Sequence, residues 1–130
     1  MVEADGIHLG QDDISIKEAR KIFKGIIGLS THSPEQARKA VGDGVDYIGV
    51  GPIYSTKTKK NVCPAVGLEY LEYVAENIKI PFVAIGGIKE NNIKEVISRG
   101  AKTIAVVTEI TGSKDIMGTI KKLQNHFQNR

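Results

Sequence analysis

Short apolar runs rich in β-branched residues alternate with segments of helical period along the whole chain. The runs are Gly6-Ile7-His8-Leu9, Ile26-Ile27-Gly28-Leu29, Tyr47-Ile48-Gly49-Val50, Phe82-Val83-Ala84-Ile85 and Thr103-Ile104-Ala105-Val106-Val107. Each is nearly continuous in apolar character, which predicts parallel strands buried on both faces. Helix starts and stops lie between them. Ser15-Ile16-Lys17-Glu18 reads as a capping box, with Gly25 closing that helix. Ser33-Pro34-Glu35-Gln36 reads as a second, with proline at the first helical position and Gly42 as the stop. Leu68, Leu71, Val74, Ala75 and Ile78 form a helical stripe. A helix from Asn92 to Ser98 precedes Gly100, and a last one follows Ser113 and carries Ile116, Ile120 and Leu123 toward Phe127.

The order is therefore β-α five times over, which predicts a parallel α/β sheet with right-handed crossovers. No G-x-G-x-x-G follows the first strand, which weighs against a dinucleotide site. The strands end in small or polar residues: Gly10-Gln11-Asp12-Asp13, Ser30-Thr31-His32, Gly51-Pro52, Gly86-Gly87 and Thr108-Glu109. Active sites of (β/α)8 barrels are built from such ends. At about 26 residues per unit, eight units take about 208 residues, near the usual barrel size. The expected fold is an incomplete TIM (β/α)8 barrel of about five βα units with parallel strands, one partial domain over residues 1–130.

Composition changes this picture little. At 130 residues, 41% hydrophobic and 25% charged, the chain reads as one globular domain. No apolar run has the length of a membrane span, and the acidic start Met1-Val2-Glu3-Ala4-Asp5 lacks the apolar core of a signal peptide. The single Cys63 offers no disulfide or metal framework, so a reducing cytoplasm is the expected home. The +3 net charge is partly concentrated in Lys57-Thr58-Lys59-Lys60 and forms no basic stripe with interleaved aromatics. Neither nucleic acid nor membrane is an expected partner. Read alone, several candidates keep a plain structural meaning. Asp13 also reads as a helix-capping residue, Ser30 and His32 as turn residues, the lysines as a solvated run, and Gly86-Gly87 as a tight turn. His8 reads as a satisfied core residue on a buried strand.

From Asp5-Gly6-Ile7-His8-Leu9-Gly10-Gln11-Asp12-Asp13 onward the sequence resembles thiamine-phosphate synthases. That segment is similar to the family's fourth strand, and Ile26 to His32 to its fifth. Asp46-Tyr47-Ile48-Gly49-Val50-Gly51-Pro52-Ile53-Tyr54-Ser55-Thr56-Lys57-Thr58-Lys59-Lys60 is similar to the sixth strand and its loop. Ile80 to Ile88 resembles the seventh and Gly100 to Ile110 the eighth. The resemblance implies a transferase that joins 4-amino-5-hydroxymethyl-2-methylpyrimidine diphosphate to a thiazole phosphate, giving thiamine phosphate and pyrophosphate. It implies a dissociative route: the diphosphate departs, then the thiazole nitrogen captures the pyrimidine cation. Residue by residue it implies Mg²⁺ on Asp13, the pyrimidine diphosphate on Ser30, and the departing pyrophosphate on Lys59. Ser30 and Lys59 are the implied catalytic pair. Thr56, Lys57, Thr58 and Gly87, with the backbone at Val107 and Thr108, are implied to hold the thiazole phosphate.

The departures matter too. The family's first three strands carry a Gln-x-Arg-x-Lys segment and an Asn-Asp pair whose Asp is a second Mg²⁺ ligand; none is present in this sequence. Five strands leave two open edges, so Val2, Ile7, Leu9 and Val106 are expected to meet solvent. Self-association, or a separately made N-terminal piece, is expected to cover them. Thr108 stands where the family more often has Ser. Alternative readings are a truncated non-catalytic phosphate-binding remnant and a thiazole tautomerase-like isomerase. Gly51-Pro52-Ile53 disfavours the isomerase, which carries a catalytic His at that place.

Overall fold

The computed structural model describes residues 3–57 and 64–128. Their elements are β1 (Gly6–Leu9), α1 (Ile16–Ile22), β2 (Ile26–Thr31), α2 (Pro34–Asp43), β3 (Tyr47–Val50), α3 (Gly67–Asn77), β4 (Phe82–Ile85), α4 (Ile93–Ser98), β5 (Ile104–Ala105), α5 (Thr108–Thr111) and α6 (Ile116–Gln128). The strands form one parallel sheet in the order β1-β2-β3-β4-β5. Strand order equals chain order, with no reversal. With right-handed crossovers, that order sends successive helices to the same face, as in a barrel, whereas a doubly wound sheet needs a switch point.

Burial follows this asymmetry. Ile27, Thr31, Ile48, Val50 and Ala84 alternate along β2, β3 and β4 and are fully buried. They pack with Ala19, Ala37, Ala40, Leu71, Val74 and Val96 from the helices. The opposite face carries His8, Gly28, Ser30, Tyr47, Gly49, Val83 and Ile85, related by the strand register. There Ile26 is 54% and Ile85 40% exposed. The expectation of strands buried on both faces is thus corrected, because helices cover only one face. The apolar residues most exposed to solvent are different from those expected at the edges. Ile7, Leu9 and Val106 are half-buried against the core, and Val2 lies outside the described residues.

Local signals hold at helix starts and fail at some stops. Ser15 forms the full capping box with Glu18. These bonds hold the Glu18 carboxylate below its usual pKa. Ser33 caps α2 through the Gln36 N–H at 3.3 Å, but the Gln36 side chain reaches one residue further back, to the His32 N–H at 2.8 Å. Gly42 does not stop α2. The helix continues to Asp43, and Gly44 ends it at φ +81°, the left-handed conformation that costs glycine least. Gly25 does not close α1 either, since Phe23 already leaves the helix in an extended conformation. The space at Gly25 is taken by the Asp5 carbonyl and the Phe23 ring. The last strand is only two residues long, where the apolar run predicted Thr103 to Val107, and a one-turn helix, α5, follows from Thr108. β5 pairs on one side only, with β4, so less of the run is held in a ladder.

Candidate functional site

All strands being parallel, their C-terminal ends share one edge of the sheet, and every described candidate lies on or just after those ends. After β1 the chain turns tightly: the Asp13 Oδ2 accepts the Gly10 N–H at 2.6 Å, and the Asp13 N–H donates to the Gly10 carbonyl at 3.3 Å. Asp13 therefore caps its own turn rather than α1, whose cap is Ser15. Its side chain is exposed. Gln11 Nε2 donates to the Ser30 carbonyl at 2.7 Å and ties this turn to the end of β2.

Ser30 is half-buried on the open face. Its Oγ lies 2.9 Å from His8 Nε2, and His8 Nδ1 lies 2.9 Å from the Tyr47 hydroxyl. A polar line thus crosses three strands, with the His8 and Tyr47 rings 5.4 Å apart. His8 is satisfied, as expected, but exposed rather than in the core. Gly28 makes room for the Tyr47 ring, which lies where a side chain would start. Composition and period did not single out His8 or Tyr47 as neighbours of Ser30. Alternation alone says that each faces opposite to its chain neighbours; only the register His8 with Gly28 with Tyr47 brings them together.

The residue between Ser30 and His32 is anchored on the other face. Buried Thr31 donates its hydroxyl to the Gly49 carbonyl at 2.8 Å and accepts the Tyr70 hydroxyl at 2.7 Å. Burial pushes the Tyr70 phenol above its ordinary pKa, the effect opposed by the bond to Thr31. His32 Nδ1 lies 2.6 Å from the Gly51 carbonyl and joins the ends of β2 and β3.

Beyond β3 the chain runs alongside the end of β4. The Ile53 and Tyr54 N–H groups donate to the Ile85 and Gly86 carbonyls, both at 3.0 Å. Gly86 and Gly87 have φ of +104° and +64°. A Cβ at Gly87 would stand 2.8 Å from the Ser55 carbonyl, so glycine is required there by contact as well as by conformation. Half-buried Thr56 and exposed Lys57 follow directly. Thr58, Lys59, Lys60 and Cys63 lie outside the described residues. Val107 and Thr108 are exposed at the end of β5, and Glu109 accepts the Glu90 N–H at 3.0 Å, linking this segment to the loop after β4.

Among the described residues no group of three or more His, Cys, Asp or Glu side chains is placed to hold a metal. Asp13 is a single exposed carboxylate, and Mg²⁺ usually takes one or two carboxylates and completes its shell with water and phosphate oxygens. An open depression lined by Lys89, Glu90, Asn91, Lys94, Glu109 and His126 carries both signs of charge and contains none of the candidates above. No helix among the described residues is long and apolar enough to cross a membrane.

The sequence model of the family described as thiamine monophosphate synthase matches residues 1–110. The chain belongs to this family. A thiamine-phosphate synthase of Pelotomaculum thermopropionicum is 64% identical over 126 residues, covering 95% of this chain and 58% of that protein. One from Lawsonia intracellularis is 55% identical over 126 residues, with the same 95% and 58% coverage. Among solved structures, the thiamine phosphate pyrophosphorylase of Pyrococcus furiosus superposes with a TM-score of 0.87 at 37% identity. The match covers 98% of this chain and 61% of that one. The chain therefore spans somewhat under two thirds of the length of these relatives. The five-stranded parallel sheet is a section of the barrel-like fold of thiamine-phosphate synthases.

Proposed function

We propose that this chain carries the strand-four-to-eight part of a thiamine-phosphate synthase, as one partial-barrel domain. Its activity would be to couple a pyrimidine diphosphate to a thiazole phosphate. The observation that supports the reading, beside family membership, is the close approach of the Ser55 carbonyl to the Cβ position of Gly87, so that the chain leading into Thr56 and Lys57 starts next to the second glycine. Backbone N–H groups in a glycine pair approach a phosphate with no side chain intervening. Hydroxyls of Thr56 and Thr58, the Lys57 ammonium, and the backbone at Val107 and Thr108 complete a site for the thiazole phosphate.

Departure of pyrophosphate from the pyrimidine builds negative charge on the leaving group, so donors already in place lower the barrier. Lys59 supplies a point charge for it, and Ser30 a hydroxyl. His8 and Gln11 hold Ser30 by its side chain and its carbonyl respectively. Bound at Asp13, Mg²⁺ supplies further electrostatic stabilisation of the diphosphate oxygens. Capture of the cation by the thiazole nitrogen then requires only that the two substrates face each other.

A second reading, thiazole-phosphate binding without turnover, is favoured by the open sheet face, on which Ile26 is 54% exposed. Self-association, or a separate piece with the family's earlier strands, would cover that face. The deciding experiment is thiamine phosphate formation by the purified chain with both substrates and Mg²⁺. Turnover abolished by Asp13→Ala supports the synthase reading. Saturable thiazole-phosphate binding by a folded chain without turnover supports the second, and neither binding nor turnover overturns both.

A further inference from the structure

The loop between β4 and α4 holds a side chain that the function above does not use. Asn92 occupies the N-cap position of α4, where an asparagine ordinarily accepts a bond from the first-turn N–H groups of its own helix. It makes no such bond. Its side chain turns back into the loop instead. Oδ1 accepts the Lys89 N–H at 2.7 Å, and Nδ2 donates to the Gly87 carbonyl at 3.0 Å. The Lys89 carbonyl accepts the Asn92 and Ile93 N–H groups at 3.1 and 2.9 Å, closing the loop on itself. From the far side, Glu109 accepts the Glu90 N–H at 3.0 Å, and Glu109 directly follows Thr108.

We infer that Asn92 is a positioning residue for the phosphate end of this site, with Glu109 as its counterpart from the segment after β5. Two consecutive glycines have the widest conformational freedom available to a chain. An amide bonded to the Gly87 carbonyl on one side and the Lys89 N–H on the other removes that freedom before ligand arrives. Ordering a loop in advance strengthens binding by the cost it removes from the binding step. Glu109 extends the same restraint to the neighbouring strand end, so that Gly87 and Thr108 keep one spacing. The ligand class is the phosphate monoester of a thiazole, and the inference rests on the phosphate reading given above.

The test uses the whole chain, with thiazole phosphate as probe. Asn92→Ser removes the amide that reaches Gly87 while leaving a residue type compatible with a helix start. The expected result is a chain that still folds cooperatively, with faster exchange of the Lys89 N–H and about tenfold weaker thiazole-phosphate binding, because the loop must now be ordered at the binding step. Wild-type affinity in a folded Asn92→Ser chain overturns the inference and leaves the phosphate reading standing. No saturable binding by the wild type overturns the phosphate reading, and the inference with it. If Asn92→Ser does not fold, Glu109 decides. Glu109→Ala is expected to weaken binding several-fold, with Glu109→Gln restoring it through the retained carbonyl oxygen. Equal affinities for that pair overturn the inference.

Discussion

The pair formed by Thr31 and Tyr70 offers a quantitative check on how the end of β2 is held. Thr31 is fully buried, donates to the Gly49 carbonyl and accepts from Tyr70, itself 6% exposed. Tyr70→Phe deletes one bond and leaves the Thr31 hydroxyl its acceptor, a loss of about 1 kcal/mol. Thr31→Val has nearly the same shape but deletes both bonds. It also strands a buried phenol hydroxyl, which raises the cost to about 2–3 kcal/mol. In the double variant no hydroxyl is stranded, so the combined cost is expected to fall about 1 kcal/mol short of the sum. Urea unfolding at fixed protein concentration measures this. With m about 2 kcal/mol/M, the midpoint falls by about 0.5 M for Tyr70→Phe and by about 1–1.5 M for Thr31→Val. Strict additivity, or a Thr31→Val no costlier than Tyr70→Phe, would refute the reasoning.

Two glycines in one helix give opposite expectations. Gly42 lies inside α2 with open space at its Cβ position, so Gly42→Ala is expected to stabilise by about 0.4–1 kcal/mol. Gly44 is equally unobstructed but left-handed, so Gly44→Ala is expected to destabilise by about 1 kcal/mol; urea midpoints moving in the same direction would contradict the cap assignment. The Asp46 carboxylate accepts the Ile27 N–H and is paired with Arg20, both at 2.7 Å, and the first of these contributes most to holding its pKa below the usual range. A depressed folded pKa gives stability that is present at neutral pH and lost as pH falls through the carboxylate range. Melting temperatures from pH 7 to 3 should therefore drop less steeply in Asp46→Asn, which starts lower, than in the wild type. The raised Tyr70 pKa acts at the other end, its stability being lost as pH climbs above the ordinary 10.0. Tyr70→Phe should flatten that alkaline loss, and an unchanged alkaline slope would speak against it.

The alternation of strands and helices, the Ser15 and Ser33 caps and the catalogue of strand-end residues were legible in the sequence by itself. Each depends on groups within a few residues of one another, where hydrophobic period and side-chain chemistry act directly. Tertiary structure decided the rest. His8 reaches Tyr47 across 39 positions and Ser30 across 22, and such contacts exist only once the register of three strands is set. Coverage of one sheet face rather than two follows from strand order, which apolar runs do not encode. The salt bridge from Arg20 to Asp46 is of the same long-range kind. The choice of Gly44 over Gly42 turned on which glycine took positive φ, and both satisfy the same composition rule. The expected helix from Asn92 is there, beginning one residue later with Asn92 at its N-cap position. The Asn92 side chain, however, found better partners behind it, because the turn of the two glycines brought the Gly87 carbonyl and the Lys89 N–H within reach.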